Sequence, residues 1–248
     1  MITRRNFIKV TTAGGALAAF GDVPAARSAI HTATLPETGF ITEEGRQIPV
    51  IAETDIVIVG GSSAAVAAAS AATRAGSRVF LAATMPYLGD DVCGTFRFVC
   101  EEGESPNLPL SRRLFLQSKN PTPLYIKTEL ENELIDNDIP FLYSSYVTNV
   151  LKDAQGGPAG VVITNRSGRQ AIRCKTIIDA TQLASVARLV GAPMTPFKAG
   201  KYDFRFVTVG SRALSIAGAT AEEVPYTLKY KNKTLPVVRY TFGMEVKD

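Results

Sequence analysis

The run Thr54-Asp55-Ile56-Val57-Ile58-Val59, followed at once by Gly60-Gly61-Ser62-Ser63-Ala64-Ala65, constrains this chain more than any other stretch. Ile56 to Val59 are apolar and β-branched, the character of a strand buried on both faces in a parallel sheet. Val66 to Ala75 is rich in alanine and favours helix, and Gly76 stands where such a helix ends. Arg78 to Ala83 reads as a second apolar strand. Strand, glycine turn, helix and strand within about 30 residues form a βαβ unit of the dinucleotide-binding kind. The free N–H groups and the dipole at the start of the helix favour an anion there, such as a pyrophosphate.

The turn departs from the usual G-x-G-x-x-G spacing. Gly60 is in place, while Ser62 and Ala65 hold the second and third glycine positions. The fingerprint accommodates alanine at the third position. Ser62 puts a side chain where the phosphate would approach, and offers a hydroxyl donor in exchange. The second strand ends Ala82-Ala83-Thr84, without the carboxylate that would hold a ribose. The missing charge-assisted bond is worth about 1.5–3 kcal/mol. Two readings of the motif follow: a dinucleotide site with altered contacts, or a βαβ unit that binds no dinucleotide.

A length of 248 residues allows one large domain, or a domain with a smaller appendage. The net charge of +4 belongs mostly to the first 28 residues, which hold Arg4, Arg5, Lys9 and Arg27 against Asp22. Without them, 23 basic residues face 22 acidic ones, so a nucleic-acid surface is not expected. Residues 1–28 read as a signal peptide, with a charged start, an apolar run from Val10 to Phe20 and small residues around Ala25. The order Arg4-Arg5-Asn6-Phe7-Ile8-Lys9 resembles the bacterial twin-arginine signal, which implies export to the periplasm or beyond. That route carries folded proteins, often with a cofactor inserted. No stretch of about 20 apolar residues occurs, so no membrane span is expected. His31 is the single histidine, and Cys93, Cys100 and Cys174 are an odd set without metal-site spacing. Metal centres and Ser-His-Asp catalysis are therefore not expected; one disulfide in an oxidising compartment stays open, and buried free thiols are the favoured reading.

The sequence from Asp55 to Gly61, continued through Tyr87-Leu88-Gly89-Asp90-Asp91, resembles the opening of FAD-dependent oxidoreductases with a glutathione-reductase-like flavin fold. Ile177-Ile178-Asp179-Ala180-Thr181 is similar to the later strand of that family, whose Ala-Thr-Gly end approaches FAD again. Here Gln182 stands in place of the glycine. The resemblance covers about residues 54–192. It implies an α/β, Rossmann-like FAD/NAD(P)-binding domain over 54–200, after a linker over 29–53. It also implies a small β insertion and, over 201–248, a β-rich segment that starts an antiparallel substrate domain. FAD is the implied cofactor. Gly60, Gly61, Ser62 and Ser63 would lie at the pyrophosphate, and Thr84 near the ribose. Val147 would lie near the adenine, and Thr181 near the pyrophosphate or the ribityl chain. No catalytic residue can be assigned.

The intervening pattern agrees with such a domain. Leu124, Ile126, Leu130, Leu134 and Ile135 recur at roughly helical spacing, and strands are expected at Pro140 to Tyr143 and Tyr146 to Leu151. Ala159 to Thr164 and Gln170 to Ala180 flank the turn Arg166-Ser167-Gly168 as a hairpin-like return to the main sheet. Asp90 and Asp91 read as proton-transfer groups or caps of the next helix, and Arg97 as a phosphate or substrate contact or a surface ion pair. The resemblance also implies a further strand and helix that close the flavin site, and residues 201–248 are not expected to supply them. A truncated product, a subunit completed by a partner, and a diverged module all stay open. The edges Phe204 to Val209 and Val237 to Phe242 are expected to invite homo-oligomers or aggregation, blunted by Lys229, Lys231, Lys233 and Arg239. Two functions remain. One is an exported flavin oxidoreductase acting on a small organic substrate. The other is a non-catalytic exported binding subunit that keeps the dinucleotide-binding fold.

Overall fold

The computed structural model describes residues 45–100, 103–117 and 122–247. The expected signal peptide over 1–28, His31 and most of the linker lie outside the described residues. From Gln47 onward the chain forms one unit. Its centre is a parallel sheet of four strands: β2 (Ile56–Val59), β3 (Val79–Ala82), β4 (Phe141–Leu142) and β8 (Thr176–Asp179), in the order β4-β3-β2-β8. Helix α1 (Ser63–Arg74) makes the crossover from β2 to β3.

Alternation along β2 and β3 explains why both strands are apolar throughout. Ile58 and Leu81 face one core with Ala65, Val66 and Ala69 of α1, and with Ile126, Leu130 and Leu134 of α4 (Pro123–Asp136). Val57, Val59, Phe80 and Ala82 face a second core on the opposite side of the sheet. Val150, Val161, Ile163 and Ile172 build the far wall of that second core. They come from a sheet of β5 (Tyr146–Lys152), β6 (Pro158–Asn165) and β7 (Gly168–Arg173), edged by β1 (Val50–Glu53). The small β insertion is thus a covering layer. Each fully buried aliphatic side chain in these cores contributes about 1.5–3 kcal/mol.

Helices α2 (Asp90–Cys93) and α3 (Pro109–Arg112) follow β3, with a π-helical turn at Arg113–Gln117. Glu133 of α4 is buried among them. It accepts from Ser70 of α1 and pairs with Arg113, and Arg74 Nη1 lies 3.2 Å from its Oε1. Burial opposes ionisation of Glu133, but bonds from Ser70, Arg113 and Arg74 prevail and hold the carboxyl below its ordinary value.

Three expectations are corrected. Val50–Glu53, placed in the linker, pairs with β7 in parallel, Val50 opposite Ala171, because β7 otherwise ends the sheet with open hydrogen-bonding groups. Gln170 to Ala180 is two strands in two sheets: the chain leaves β7 at Arg173 and enters the parallel sheet at Thr176. Lys175, between them, donates to Asp55 at 2.8 Å. Finally, Val237 to Phe242 is no edge. β9 (Gly200–Val209), β10 (Ala219–Tyr230) and β11 (Lys233–Val246) form an antiparallel sheet ordered β10-β11-β9. Its central strand buries Val237, Val238 and Tyr240.

Candidate functional site

The C-terminal ends of β2, β3 and β8 meet at the glycine turn. Gly60 has φ +130, and a side chain there would place its Cβ 2.4 Å from the Ala180 carbonyl oxygen. Its first role is to let β2 and β8 close together, with Ala180 N–H donating to Val59 at 2.8 Å. Ser62 is extended and caps α1, its Oγ accepting from Ala65 N–H at 3.1 Å. The hydroxyl at the second glycine position therefore replaces conformational freedom with a cap. Gly61 is buried, and among the described residues the N–H groups of Gly61, Ser62 and Ala64 have no hydrogen-bond partner.

The loop after β3 folds back over this turn. Gly89 N–H donates to the Gly61 carbonyl at 2.7 Å. Gly89 has φ +79, and a Cβ at this position would lie 2.6 Å from Leu130 Cδ1, so a side chain here would be strained and would have to push Leu130 aside. Asp91 then reaches the start of α1: Oδ1 accepts from Ser63 N–H at 2.8 Å and Oδ2 from the Ser63 hydroxyl at 2.5 Å. Asp90 Oδ2 accepts from Gln182 Nε2 at 2.9 Å. Asp91 is thus a cap, but of α1 rather than of the next helix. Both carboxylates bond the two segments expected at a phosphate. The contact spans 28 residues of sequence, and no local spacing signals it.

The other expected site residues lie at the same end of the sheet or beside it. Thr84 follows β3, bracketed by Ser145 N–H on Ala83 O at 2.9 Å and Ser144 N–H on Met85 O at 3.3 Å. Those bonds bring Thr84 next to the start of β5. Val147, on β5, is half-buried and packs into the second core with Leu142 and Ile177. Thr181 spends its hydroxyl inside the chain, donating to Asp179 at 2.6 Å and accepting from Ser185 N–H at 2.8 Å. Asp179, given no role from the sequence, also accepts from Val186 and Ala187 N–H, capping α5 (Ser185–Leu189). Burial raises its carboxyl, but the bonds from Thr181, Ala187 and Val186 outweigh that and hold it below its ordinary value. Its signal was the Asp179-Ala180-Thr181 order itself, an acceptor two residues before a hydroxyl at a strand end.

Asp91 also borders a cavity of about 930 Å³, within the range of small-molecule sites. Thr95, Arg97, Arg205, Tyr226 and Arg239 line it as well. Tyr226 of β10 donates its hydroxyl to the Phe96 carbonyl and stacks edge-on with buried Phe98. Arg97 pairs with Glu104, and Arg239 with Glu222. Of the three thiols, all free, Cys93 and Cys174 are buried, and Cys100 lies half-buried on the cavity wall.

Three solved structures share the fold across about three quarters of the chain. A geranylgeranyl bacteriochlorophyll reductase-like protein from Thermoplasma acidophilum matches at 14% identity and a TM-score of 0.51, over 77% of this chain and 57% of its own. BexE, studied for oxidation during BE-7585A biosynthesis, matches at 15% and 0.51, over 75% of this chain and 43% of its own. The flavin-dependent brominase Bmp2 matches at 11% and 0.50, over 77% of this chain and 56% of its own. The chain spans about half the length of these structures. No curated protein matches it. The model of one family, described as FAD dependent oxidoreductase, matches residues 55–205, from the first strand of the parallel sheet into β9. A glycine turn closing a parallel sheet, a helix N-terminus presented at that turn, and a family match over more than half the length lead to one conclusion: this chain belongs to the FAD-dependent oxidoreductase family, whose cofactor is FAD.

Proposed function

We propose that this chain is the flavin-binding part of an exported oxidoreductase that exchanges a hydride or electrons with a small organic molecule. The observation that carries the reading is the donor set at the glycine turn. Gly61, Ser62 and Ala64 offer N–H groups without partners among the described residues, at the positive end of a 12-residue helix. That set fits a diphosphate. Within the expected set Gly60, Gly61, Ser62 and Ser63, the N–H groups of Gly61 and Ser62, joined by that of Ala64, would hold it. Gly60 N–H is spent on Ala82, and Ser63 could join only by releasing Asp91. Thr84 would lie at the ribose and Val147 beside the adenine. Thr181 would act through the cap it builds at the end of β8. When bound, FAD supplies the redox chemistry, and the chain supplies orientation and electrostatics. The cavity bordered by Asp91 and Tyr226 is the proposed substrate site. Its aromatic and guanidinium lining suits a flat molecule with an anionic or hydrogen-bonding group.

The domain boundaries at 29, 54 and 201, the glutathione-reductase-like subtype and twin-arginine export belong to the same proposal. Export is supported by the Arg4-Arg5 signature. A non-catalytic exported subunit is the second reading, favoured by the hold of Asp91 on Ser63 and of Asp90 on Gln182. The test is to express the full chain in a bacterium with an active twin-arginine pathway and record the visible spectrum of the periplasmic product. Flavin absorbance there, lost from the periplasm in Arg4→Lys/Arg5→Lys, supports the first reading. Colourless protein that takes up no FAD on refolding supports the second.

A further inference from the structure

We infer that Asp91 is a built-in anion that occupies the N-terminus of α1 and competes with the cofactor's diphosphate, so that this carboxylate sets the affinity for FAD. The inference rests on FAD binding at the glycine turn. Helix N-termini favour one anion because their first N–H groups are unsatisfied and the dipole adds to them. Here the first turn of α1 carries no acidic residue of its own. The negative charge is delivered instead from 28 residues away, with both carboxylate oxygens engaged by Ser63. Such bonds to a charged group are about twice as strong as neutral ones.

The loop that carries Asp91 is fixed at three further points. Gly89 N–H bonds the Gly61 carbonyl, the Thr95 hydroxyl bonds the Asp91 carbonyl at 2.5 Å, and Asp90 accepts from Gln182. The side chain of Gln182, just past the end of β8, is spent on holding the aspartate loop. Ser63 has a single N–H and a single hydroxyl proton, and both already go to Asp91. A diphosphate at the turn must either take those donors from Asp91 or sit beside its charge, and either route costs affinity. The N–H groups of Gly61, Ser62 and Ala64 are left to hold the entering anion.

The test is titration of FAD into the full-length chain, followed by quenching of flavin fluorescence, for the wild type, Asp91→Asn and Asp91→Ser. Inorganic pyrophosphate serves as a second probe, read by calorimetry. Asp91→Ser keeps an acceptor for Ser63 without the charge, and it decides the matter if Asp91→Asn fails to fold by circular dichroism. The expected result is FAD binding about tenfold tighter in the variants, with a matching gain for pyrophosphate. Unchanged or weaker FAD binding in a folded variant, beside measurable binding by the wild type, overturns the competition while the flavin site stands. Absence of FAD binding in wild type and variants alike overturns the flavin site itself, and the competition with it.

Discussion

Replacing Gly60 by alanine tests whether the glycine of the motif serves the sheet before it serves a ligand. An added Cβ would lie 2.4 Å from the Ala180 carbonyl oxygen and 2.7 Å from its carbon, both backbone atoms that cannot swing aside. To relieve the clash, the ends of β2 and β8 must part. That breaks the bond from Ala180 N–H to Val59, at about 1 kcal/mol. A φ of +130 adds about 1–3 kcal/mol for a residue with a side chain. The sum is a loss of about 2–4 kcal/mol, read as a lower midpoint in urea unfolding with an unchanged slope. Gly61→Ala, whose Cβ would meet the Ala83 methyl at 3.0 Å, with Leu88 Cδ2 and the Tyr87 carbonyl oxygen at an ordinary 3.5 Å, should cost less. Equal midpoints for wild type and Gly60→Ala would refute the idea that this glycine is there for strand closure.

Glu133→Ala leaves Ser70 and part of Arg113 without their buried partner, and should lose about 3 kcal/mol in the same assay. Because the folded carboxyl titrates below its ordinary value of 4.5, the advantage of wild type over Glu133→Gln is full above that pH. It shrinks as pH falls through the depressed folded value, and acid unfolding curves of the two proteins should converge there. Among the thiols, burial pushes Cys93 up to about 11 and raises Cys174, so a thiol reagent at neutral pH should label Cys100 first. Mass spectrometry showing Cys93 labelled as fast as Cys100 would contradict the packing of α2 against α4.

The parts legible in the sequence are those fixed by short-range pattern. Ile56 to Val59 is apolar at every position because alternate residues serve two different cores, and that doubling marks a central parallel strand. The helical period of α4 was equally plain. What escaped depends on partners distant along the chain. Val50 to Glu53 is mostly exposed and shows no alternation, and its only reason to be a strand is β7, about 120 residues later. The split of Gln170 to Ala180 between two sheets leaves no mark, since apolar residues continue on both sides of it. Of the network around Glu133, a trace was present: one serine on the buried face of an alanine helix, one glutamate in the apolar stripe of another. Pairing them takes the helix-to-helix contact, which the sequence does not state. At the site, the turn and its departures were visible. The hold of Asp91 on Ser63 was not, because it depends on the path of the loop after β3.

Whether the glycine turn takes an anionic dinucleotide is measured most directly by calorimetric titration of FAD into the wild type and Ser62→Asp. Aspartate is as good a helix cap as serine, so the variant keeps the bond from Ala65 N–H and the fold with it. It also places a second fixed negative charge where the diphosphate must lie. The expected result is saturable binding of FAD by the wild type and a loss of about a hundredfold or more in Ser62→Asp. Equal affinities would mean that the flavin, if bound, lies away from this turn, and would contradict a diphosphate site at the start of α1.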